Sequence, residues 1–342
     1  MGKGSGRVTM QDVADVAGVT ARTVSNVVND YPFVREETRK RVWEAIDKLG
    51  YTMNLSARGL KQGKAGLIAL ALPDLTMPYF ADLANAVITQ AQAHGMSVII
   101  EPTLSSPTTE RQALRRVRGQ LADGVIYCPL EINPEELDRM DLGIPVVVLA
   151  QCEGRPKYDH VMIRNTDAAQ AATDLLIRGG SRRIVALGLG AGQKVGPSAQ
   201  RFLGYRQALA AHGLQPDPDL EVVTRAWHRS DGFRAINDLC ERRIRFDGVF
   251  GFTDQVAAGA MTALQIRGLS VPGDVAVIGF DDNDESQYLI PSLSTVDPGI
   301  EQIAEYAVEG LVRRLSSQTD FPRKVVEVDF RLVERQSTRK VS

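Results

Sequence analysis

The stretch VTARTVSNVVN, residues 19–29, puts hydroxyl and amide side chains on one side of a predicted helix and valines on the other. Val24, Val27 and Val28 recur at spacings of three and four and form an apolar stripe, so the polar residues must face outward. Short hydroxyl and amide groups suit phosphate oxygens, because they reach a short distance and lose little rotamer entropy. Phosphate contacts are therefore predicted for Thr20, Thr23, Ser25 and Asn29.

The remaining outward residues of this stretch could read bases. Arg22 can bind O6 and N7 of guanine, Asn26 can bind N6 and N7 of adenine, and the methyl group of Ala21 can contact thymine. The alternative is that Thr20 only caps the helix and that the others line a solvated face. Charge favours DNA, because residues 1–62 carry ten Lys and Arg against seven Asp and Glu, whereas the rest of the chain carries 30 against 35.

The elements that must position this stretch are three short helices. Thr9 and Asp12, three residues apart, predict a capping box at the start of a first helix, and Gly18 predicts the turn into a second. A third helix is expected from about residue 35 to residue 49. Helix, glycine turn and capped helix constitute a helix-turn-helix in a small all-α domain. The residues expected to face inward are Val13, Val16 and Ala17 in the first helix and Val42, Ala45, Ile46 and Leu49 in the third.

From Gly66 onward, short apolar runs alternate with helical stretches. Continuous apolar strands between helices predict parallel sheets with helices on both faces, and their number predicts an α/β core of two doubly wound lobes. The boundary between the lobes is expected near residues 161–166. Ligands of such lobes bind at the carboxyl ends of the strands, in the cleft. The predicted strands are LIALALP, SVIIE, GVIYCP, VVVLA, RIVALGLG, GVFGF and VAVIGF.

Other classes of protein are disfavoured. No apolar run reaches membrane-spanning length, and the opening MGKGSGRV lacks the apolar core of a secretory signal, so a cytoplasmic protein is expected. Three cysteines, Cys128, Cys152 and Cys240, form no CxxC pair, so neither a disulfide framework nor a zinc site is indicated.

Enzymatic chemistry is not expected either. The glycines of GLGAGQ, residues 188–193, have GxGxG spacing and no acidic residue at the distance that a dinucleotide-binding fold needs. The four histidines are scattered along the chain and do not have metal-ligand spacing. No cofactor and no metal are therefore predicted. A sugar-binding protein without a DNA role remains an alternative, which the core alone would permit.

Several long stretches of this chain closely resemble the LacI/GalR family of bacterial transcription regulators, and the similarity covers nearly the whole chain. The resemblance implies an N-terminal DNA-binding domain, a hinge helix and a core related to periplasmic sugar-binding proteins. It also implies a homodimer, acting on pseudo-palindromic double-stranded DNA, whose affinity for the operator is controlled by a small-molecule effector, a sugar or a sugar derivative. The stretches are VTMQDVADVAGVTARTVSNVVN, VREETRKRVWEAIDKLGY, NLSARGLKQGKAGLIALALPDLTMPYFADL, QRFLGYRQAL, FTDQVAAGAM and VAVIGFDDNDESQYLIPSLSTV.

The resemblance suggests boundaries for these parts. The helix-turn-helix domain is expected over residues 8–53, the hinge helix and linker over 54–65, and the effector-binding core over 66–338. Within the core, the first lobe is expected to contain about 66–163 and 293–322, and the second lobe about 164–292 and 323–338. The tail ERQSTRKVS lacks a leucine heptad, which disfavours a tetramer.

The resemblance also implies roles for residues of the head. Leu60 falls where the family inserts a leucine into the minor groove at the centre of the operator. Met53 stands where the family usually has proline, and Gly59 costs about 1 kcal/mol of helix propensity relative to alanine. So short a segment is predicted to be disordered in the free protein and to fold on the operator. The implied backbone contacts are Thr9, Thr20, Thr23, Ser25, Asn29 and Thr38, and the implied base readers are Ala21, Arg22 and Asn26.

An effector site is implied in the cleft of the core. Aromatic faces stack on apolar sugar surfaces, and carboxylates with a guanidinium satisfy several hydroxyl groups at once. Effector binding is expected to close the lobes and misalign the hinge segments, with release of DNA or its reverse, corepression, as the outcome. The implied site residues are Tyr79, Phe80, Arg201, Trp227, Thr253, Asp254 and Asp281.

Overall fold

In the computed structural model the chain forms two compact units, Met1–Ala65 and Gly66–Ser342. The structure describes residues 8–28, 31–51, 65–104, 106–119, 122–130, 132, 134–151, 156–190, 196–316 and 322–340. The predicted hinge helix, Met53 and Gly59 lie outside these residues.

The first unit contains three helices in its described part: α1, Met10–Ala17; α2, Ala21–Val28; and α3, Glu36–Leu49. The predicted capping box is present, because the Thr9 hydroxyl accepts from the Asp12 amide while the Asp12 carboxylate accepts from the Thr9 amide. Gly18 ends α1 and Gly50 ends α3, both in the left-handed conformation that glycine adopts without strain. Local sequence signals therefore set these helix ends.

The core of this unit lies between the three helices. Val24 and Val27 of α2 are buried, as predicted, and Val28 is half-buried. Val16 was expected to face inward, which is wrong, because it is 47% exposed and Ala14 occupies the buried position instead. On a helix of only eight residues, Val13, Ala14 and Ala17 already fill the face that meets α3. The buried set is Val13, Ala14, Ala17, Val24, Val27, Val42, Ala45 and Ile46.

The second unit alternates strands and helices. Its strands are β1 Leu67–Leu72, β2 Ser97–Pro102, β3 Gly124–Tyr127, β4 Val146–Val148, β5 Asp159–Ile163, β6 Ile184–Gly190, β7 Glu221–Thr224, β8 Gly248–Gly251, β9 Ala276–Ile278, β10 Thr295–Asp297, β11 Val325–Val328 and β12 Arg331–Val333. Its helices are α4 Pro78–Ala93, α5 Pro107–Gly119, α6 Pro134–Arg139, α7 Asn165–Arg178, α8 Pro197–Ala211, α9 Arg229–Glu241, α10 Asp254–Ile266 and α11 Ile300–Ser316.

Ten of these strands form two parallel sheets, as the apolar runs predict, and β10 and β12 form a separate antiparallel pair. The first lobe has the strand order β11-β5-β4-β3-β1-β2, and the second has β7-β6-β8-β9. Helices α4 and α11 pack side chains such as Leu83 and Ile303 against the first sheet, whereas α7 and α8 pack on the second with Leu175 and Tyr205. The carboxyl ends of the strands in each lobe carry the loops in which ligand-binding residues were predicted.

The chain passes between the lobes more than once. After β5 it enters α7 of the second lobe, and after β10 it returns to α11 of the first. Strand β11 pairs with β5 in the first sheet, and the next strand, β12, pairs with β10. Placing all of 323–338 in the second lobe is therefore wrong for residues 325–328. The alternating pattern of VVEV fits an edge strand of either sheet, so the sequence does not choose between them.

None of the helices in the described ranges combines the length and the apolar composition needed to cross a membrane.

Candidate functional site

The turn into α2 is fixed by a pair of threonines. The Thr23 amide donates to Oγ1 of Thr20 at 3.2 Å, and the two hydroxyl oxygens lie 3.0 Å apart. Thr20 is thus the predicted cap of α2, and its hydroxyl serves the helix. Because Thr20 is exposed, the two hydroxyl groups together keep hydrogen-bonding capacity for a bound group beyond the bond that they share.

The outward face of α2 carries the predicted base readers. Arg22 is exposed, whereas Ser25 and Asn26 are half-buried, and these positions lie opposite Val24 and Val27 at three- and four-residue spacing. Ala21 is half-buried at the first position of the helix. A guanidinium flanked by a hydroxyl and an amide on a rigid helix can bind base edges and phosphates of duplex DNA.

The other predicted DNA contacts lie outside the described part of α2. Thr9 caps α1, and Thr38 is half-buried in the first turn of α3, where its amide donates to the Arg35 carbonyl at 3.0 Å. Asn29 and Leu60 lie outside the described residues.

The first lobe contributes two aromatic side chains to the cleft. Tyr79 and Phe80 lie in the first turn of α4, directly after the loop that follows β1, and their rings meet edge to face with centroids 5.2 Å apart. Burial raises the pKa of Tyr79, the Cys128 thiol and the Asp281 carboxylate add to this rise, and Arg201 opposes it. Tyr79 of the first lobe therefore lies close to two predicted site residues of the second.

Arg201 is the buried cation of the cleft. Its side chain is 4% exposed, Nε donates to Oδ1 of Asn165 at 2.9 Å, and Nη1 donates to the Phe252 carbonyl. The guanidinium carbon lies 3.4 Å from the ring centroid of Phe280 and 5.3 Å from that of Trp227. Burial lowers the pKa of Arg201 and neighbouring Asp281 opposes this, but an arginine stays charged in either case.

Asp281 is the acidic partner of this arginine. Its Oδ1 lies 3.8 Å from Nη1 of Arg201, and its amide donates to the Val296 carbonyl at 2.8 Å. Burial raises the pKa of Asp281 well above its usual range, against the effect of Arg201 and with that of Asp254. Its φ of 118° is unusual for a residue with a side chain, so the surrounding contacts must hold this carboxylate in place.

Trp227 and Thr253 are tied to each other. The indole Nε1 donates to the Gly188 carbonyl at 2.7 Å, and the Thr253 hydroxyl donates to the Trp227 carbonyl at 3.3 Å. Thr253 also caps α10 by accepting from the Val256 amide at 3.2 Å. Trp227 can therefore offer a ring face rather than a donor, and Thr253 is placed to orient this tryptophan.

Asp254 differs in its surroundings from the other predicted site residues. Its carboxylate is 1% exposed and accepts from Thr295 Oγ1 at 2.5 Å, from Ser286 Oγ at 2.7 Å and from the Asn283 amide at 2.9 Å. Because these donors all belong to the protein, the Asp254 carboxylate binds the loop that carries Asp281 rather than an effector.

Sequence reasoning missed several residues of the cleft. Asn165, at the start of α7, is buried and joins Arg201 to Gln200, and Phe280 lies beneath the guanidinium. Phe280 could have been suspected, because it directly precedes Asp281 at the end of an apolar run. Asn165 gave no signal, since 36 residues separate it from Arg201.

An open pocket of about 680 Å³ adjoins this cluster and shares Asp281 with it. Its walls include Asp82 and Asn85 of α4, Glu301 of α11 and Asp329, but not Tyr79, Arg201 or Trp227. The cluster around Arg201 and Asp281 is a better candidate site than this pocket, because it combines a buried cation, a carboxylate and aromatic faces from both lobes.

The cluster is suited to holding a polyhydroxylated molecule. A guanidinium donates to hydroxyl oxygens, a carboxylate accepts from hydroxyl protons, and aromatic rings cover the apolar face of a sugar. Among the described residues, no group of His, Cys, Asp and Glu is arranged to hold a metal ion. Cys128 and Cys240 are free thiols, and Cys152 lies outside the described residues.

Comparison with known proteins gives concordant matches. Residues 9–54 match the family described as bacterial regulatory proteins, lacI family, and residues 173–338 match the periplasmic binding protein-like domain. The chain is 31% identical to catabolite control protein A of Priestia megaterium over 97% of this chain and 99% of that protein.

Two solved structures match across nearly the whole chain. The lac repressor dimer bound to operator and the anti-inducer ONPF is 25% identical with a TM-score of 0.79, over 98% of this chain and 100% of that one. The complex of the transcriptional regulator CelR with cellobiose is 28% identical with a TM-score of 0.70, over 97% and 100%.

Proposed function

Because this chain belongs to the LacI family of bacterial regulatory proteins, we propose that it is a sequence-specific DNA-binding repressor controlled by a small molecule bound between the core lobes. The observation that carries this proposal is the construction of α2. Arg22, Ser25 and Asn26 point away from Val24 and Val27 on a helix whose start is fixed by the Thr20 cap. Such a helix fits the major groove.

The residues of the head divide into two kinds. Arg22, Asn26 and Ala21 read base edges, because their chemistry distinguishes base pairs in the major groove. The hydroxyl groups of Thr9, Thr20, Thr23, Ser25 and Thr38 position the head on phosphates, which carry no sequence information. Asn29 joins the phosphate contacts, because both the polar face of the stretch and the resemblance assign it there. Leu60 is assigned to the minor groove by the resemblance.

The effector is a sugar or a sugar derivative. Relatives support this class, since the CelR structure contains cellobiose and the lac repressor structure contains the anti-inducer ONPF. In this chain Arg201 and Asp281 supply a donor and an acceptor for adjacent hydroxyl groups, while Tyr79, Phe80 and Trp227 supply ring faces. An effector that contacts both lobes binds their closed arrangement more tightly than their open one. Closure of the lobes then changes the affinity of the head for DNA through residues 54–65.

The active species is a homodimer. Ile266, Tyr288 and Ile290 are 70%, 71% and 86% exposed. Gln265 donates to the Ile290 carbonyl, which brings the end of α10 next to the segment of Tyr288 and Ile290, and we treat these three exposed residues as one apolar patch. A second copy of the chain covers this patch, which fits the lac repressor relative that binds its operator as a dimer. A twofold protein then matches a pseudo-palindromic operator.

We place the protein in the cytoplasm, where bacterial DNA is accessible, and assign it no catalytic activity. The relatives are regulators, and in the cleft cluster the cation and the carboxylate engage each other rather than an activated nucleophile.

Selection from a random DNA library tests the base-reading role of α2. Full-length protein should enrich a pseudo-palindrome, Arg22→Ala should lose preference at one position of each half-site, and Lys48→Ala, which removes a charge from the far end of α3, should keep the wild-type preference. Enrichment of no sequence by the wild-type protein would leave the alternative, a sugar-binding protein without a DNA role.

A further inference from the structure

The loop that carries Asp281 into the cleft has an unfavourable backbone. Asp281 and Asp282 have φ values of 118° and 51°, in the left-handed region that residues with side chains rarely adopt. Such conformations persist only when the surrounding structure over-determines them. The contacts that hold this loop therefore decide where the Asp281 carboxylate lies.

The Asp254 carboxylate makes two of those contacts from beneath the loop, and Arg335 makes another through its ion pair with Asp282 at 2.7 Å. Asp254 accepts from the Asn283 amide at 2.9 Å and from Ser286 Oγ at 2.7 Å, so the chain after Asp282 wraps around it. Gly279 permits this approach, because a Cβ atom there would lie 2.1 Å from Oδ1 of Asp254. The carboxylate and the loop thus fit together only with glycine at position 279.

The same carboxylate reaches the strand that returns to the first lobe. Thr295, the first residue of β10, donates from Oγ1 to Asp254 Oδ1 at 2.5 Å and accepts from the Asp282 amide at 3.3 Å. The next residue, Val296, accepts from the Asp281 amide at 2.8 Å. Strand β10 leads directly into α11, whose Ile303 and Val308 belong to the core of the first lobe.

We propose that Asp254 is a positioning residue, which holds Asp281 in the effector site and ties that site to the strand joining the two lobes. The proposal rests on the proposed function, since it assigns the way in which effector binding at Asp281 reaches the first lobe. Because the loop holds Thr295, the chain that runs from β10 to α11 bends after this residue, at residues 297–299. Gly299 there has a φ of 75°, and its amide donates to Oδ1 of Asp297 at 2.9 Å.

Hydrogen exchange of the full-length protein, followed by mass spectrometry without ligand, tests this role. In Asp254→Ala, amides of residues 281–286 should exchange at least about tenfold faster relative to those of β8, which report global opening. Asp254→Asn keeps one acceptor oxygen and should recover much of the protection. Because no effector is needed, the result is independent of whether the proposed function holds.

Two further variants keep the measurement decisive. Asp231→Ala removes a carboxylate that is also buried near a helix start in the second lobe, and it should leave exchange at 281–286 unchanged. Thr295→Val preserves volume and should accelerate exchange at 281–283 even if Asp254→Ala folds poorly. Unchanged exchange at 281–286 in the Asp254 and Thr295 variants, or a rise shared equally by β8, would overturn the proposal.

Discussion

Nε2 of His228 lies 3.6 Å from Oδ2 of Asp74, and these side chains belong to opposite lobes of the core. His228 directly follows Trp227 of the cleft, and Asp74 lies in the loop before Tyr79 and Phe80. This pair therefore spans the mouth of the candidate effector site.

The contact between His228 and Asp74 should favour the closed lobes. Because both side chains are partly exposed, we expect Asp74→Asn to weaken effector binding only about two- to fivefold, as for polar pairs in contact with solvent. The measurement is calorimetry with the sugar that gives the largest shift in a thermal-shift screen. Asp219→Asn breaks a surface pair within the second lobe and should have no effect. Equal affinities for wild type and Asp74→Asn would show that the contact between His228 and Asp74 does not favour the closed lobes.

Replacement of Arg201 should abolish the response to effector while leaving the head able to bind DNA. Arg201→Ala removes a buried guanidinium together with its hydrogen bonds to Asn165 and Phe252 and its packing on Phe280. Loss of such a buried network should lower the free energy of unfolding by about 3–5 kcal/mol and effector affinity by more than about a hundredfold. Urea unfolding and calorimetry measure the two effects. Arg206→Ala, on the same helix, removes a more exposed pair with Glu221 and should cost about 1 kcal/mol with effector binding intact.

The exposed apolar patch should control dimerisation. A charge in the patch opposes burial against a second copy, so Ile290→Asp should give monomers in light scattering and weaken operator binding by more than about tenfold. Leu203→Asp introduces the same charge at a half-exposed leucine of α8, away from the patch. If Ile290→Asp remains a dimer at micromolar concentration, the second copy binds elsewhere.

Asp254 should make stability depend on pH. Burial raises the pKa of Asp254 from 3.8 to about 7, outweighing the hydrogen bonds from Thr295, Ser286 and Asn283 that favour the charged form. The folded state then holds a proton that the unfolded state loses, so this residue's contribution to stability falls as pH rises from about 4 to about 7 and is constant above.

The raised pKa of Asp254 also sets the size of this pH effect. The wild-type free energy of unfolding should drop relative to that of Asp254→Asn by a few kcal/mol, on the order of 1.4 kcal/mol per pH unit. Denaturant unfolding at half-unit pH intervals measures the difference. A difference that stays constant over that range would show that the folded carboxylate is already ionised at about pH 4 and that its pKa is not raised.

Local signals made the head and most strands predictable. The capping box of Thr9 and Asp12 and the turn at Gly18 depend on neighbouring residues only, and apolar runs such as LIALAL are long enough to identify buried strands. Strand β7 was not predicted, because EVVT is short, polar at both ends and half-exposed at a sheet edge. The exposure of Val16 was missed because a spacing of three or four does not show which positions meet a neighbouring helix.

The cleft was predictable in outline but not in its internal division of roles. Arg201, Asp281 and Tyr79 were identified from the resemblance, and the structure places them close together. The distinction between Asp281, which faces Arg201, and Asp254, which faces Thr295 and Ser286, depends on contacts between residues far apart in sequence. Both carboxylates follow an apolar strand, so their sequence context is the same.

Fluorescence anisotropy can measure whether a small molecule in the core changes the affinity of the head for DNA. Full-length protein is titrated onto labelled DNA from upstream of its own gene, with and without the sugar selected by thermal shift, at two salt concentrations. We predict steep salt dependence, a change in affinity of about tenfold or more with sugar, and specific binding that is at least about tenfold weaker in Arg22→Ala. Equal affinity for every fragment, unaffected by sugar or by the loss of Arg22, would show that this protein is not a DNA-binding regulator controlled by sugar.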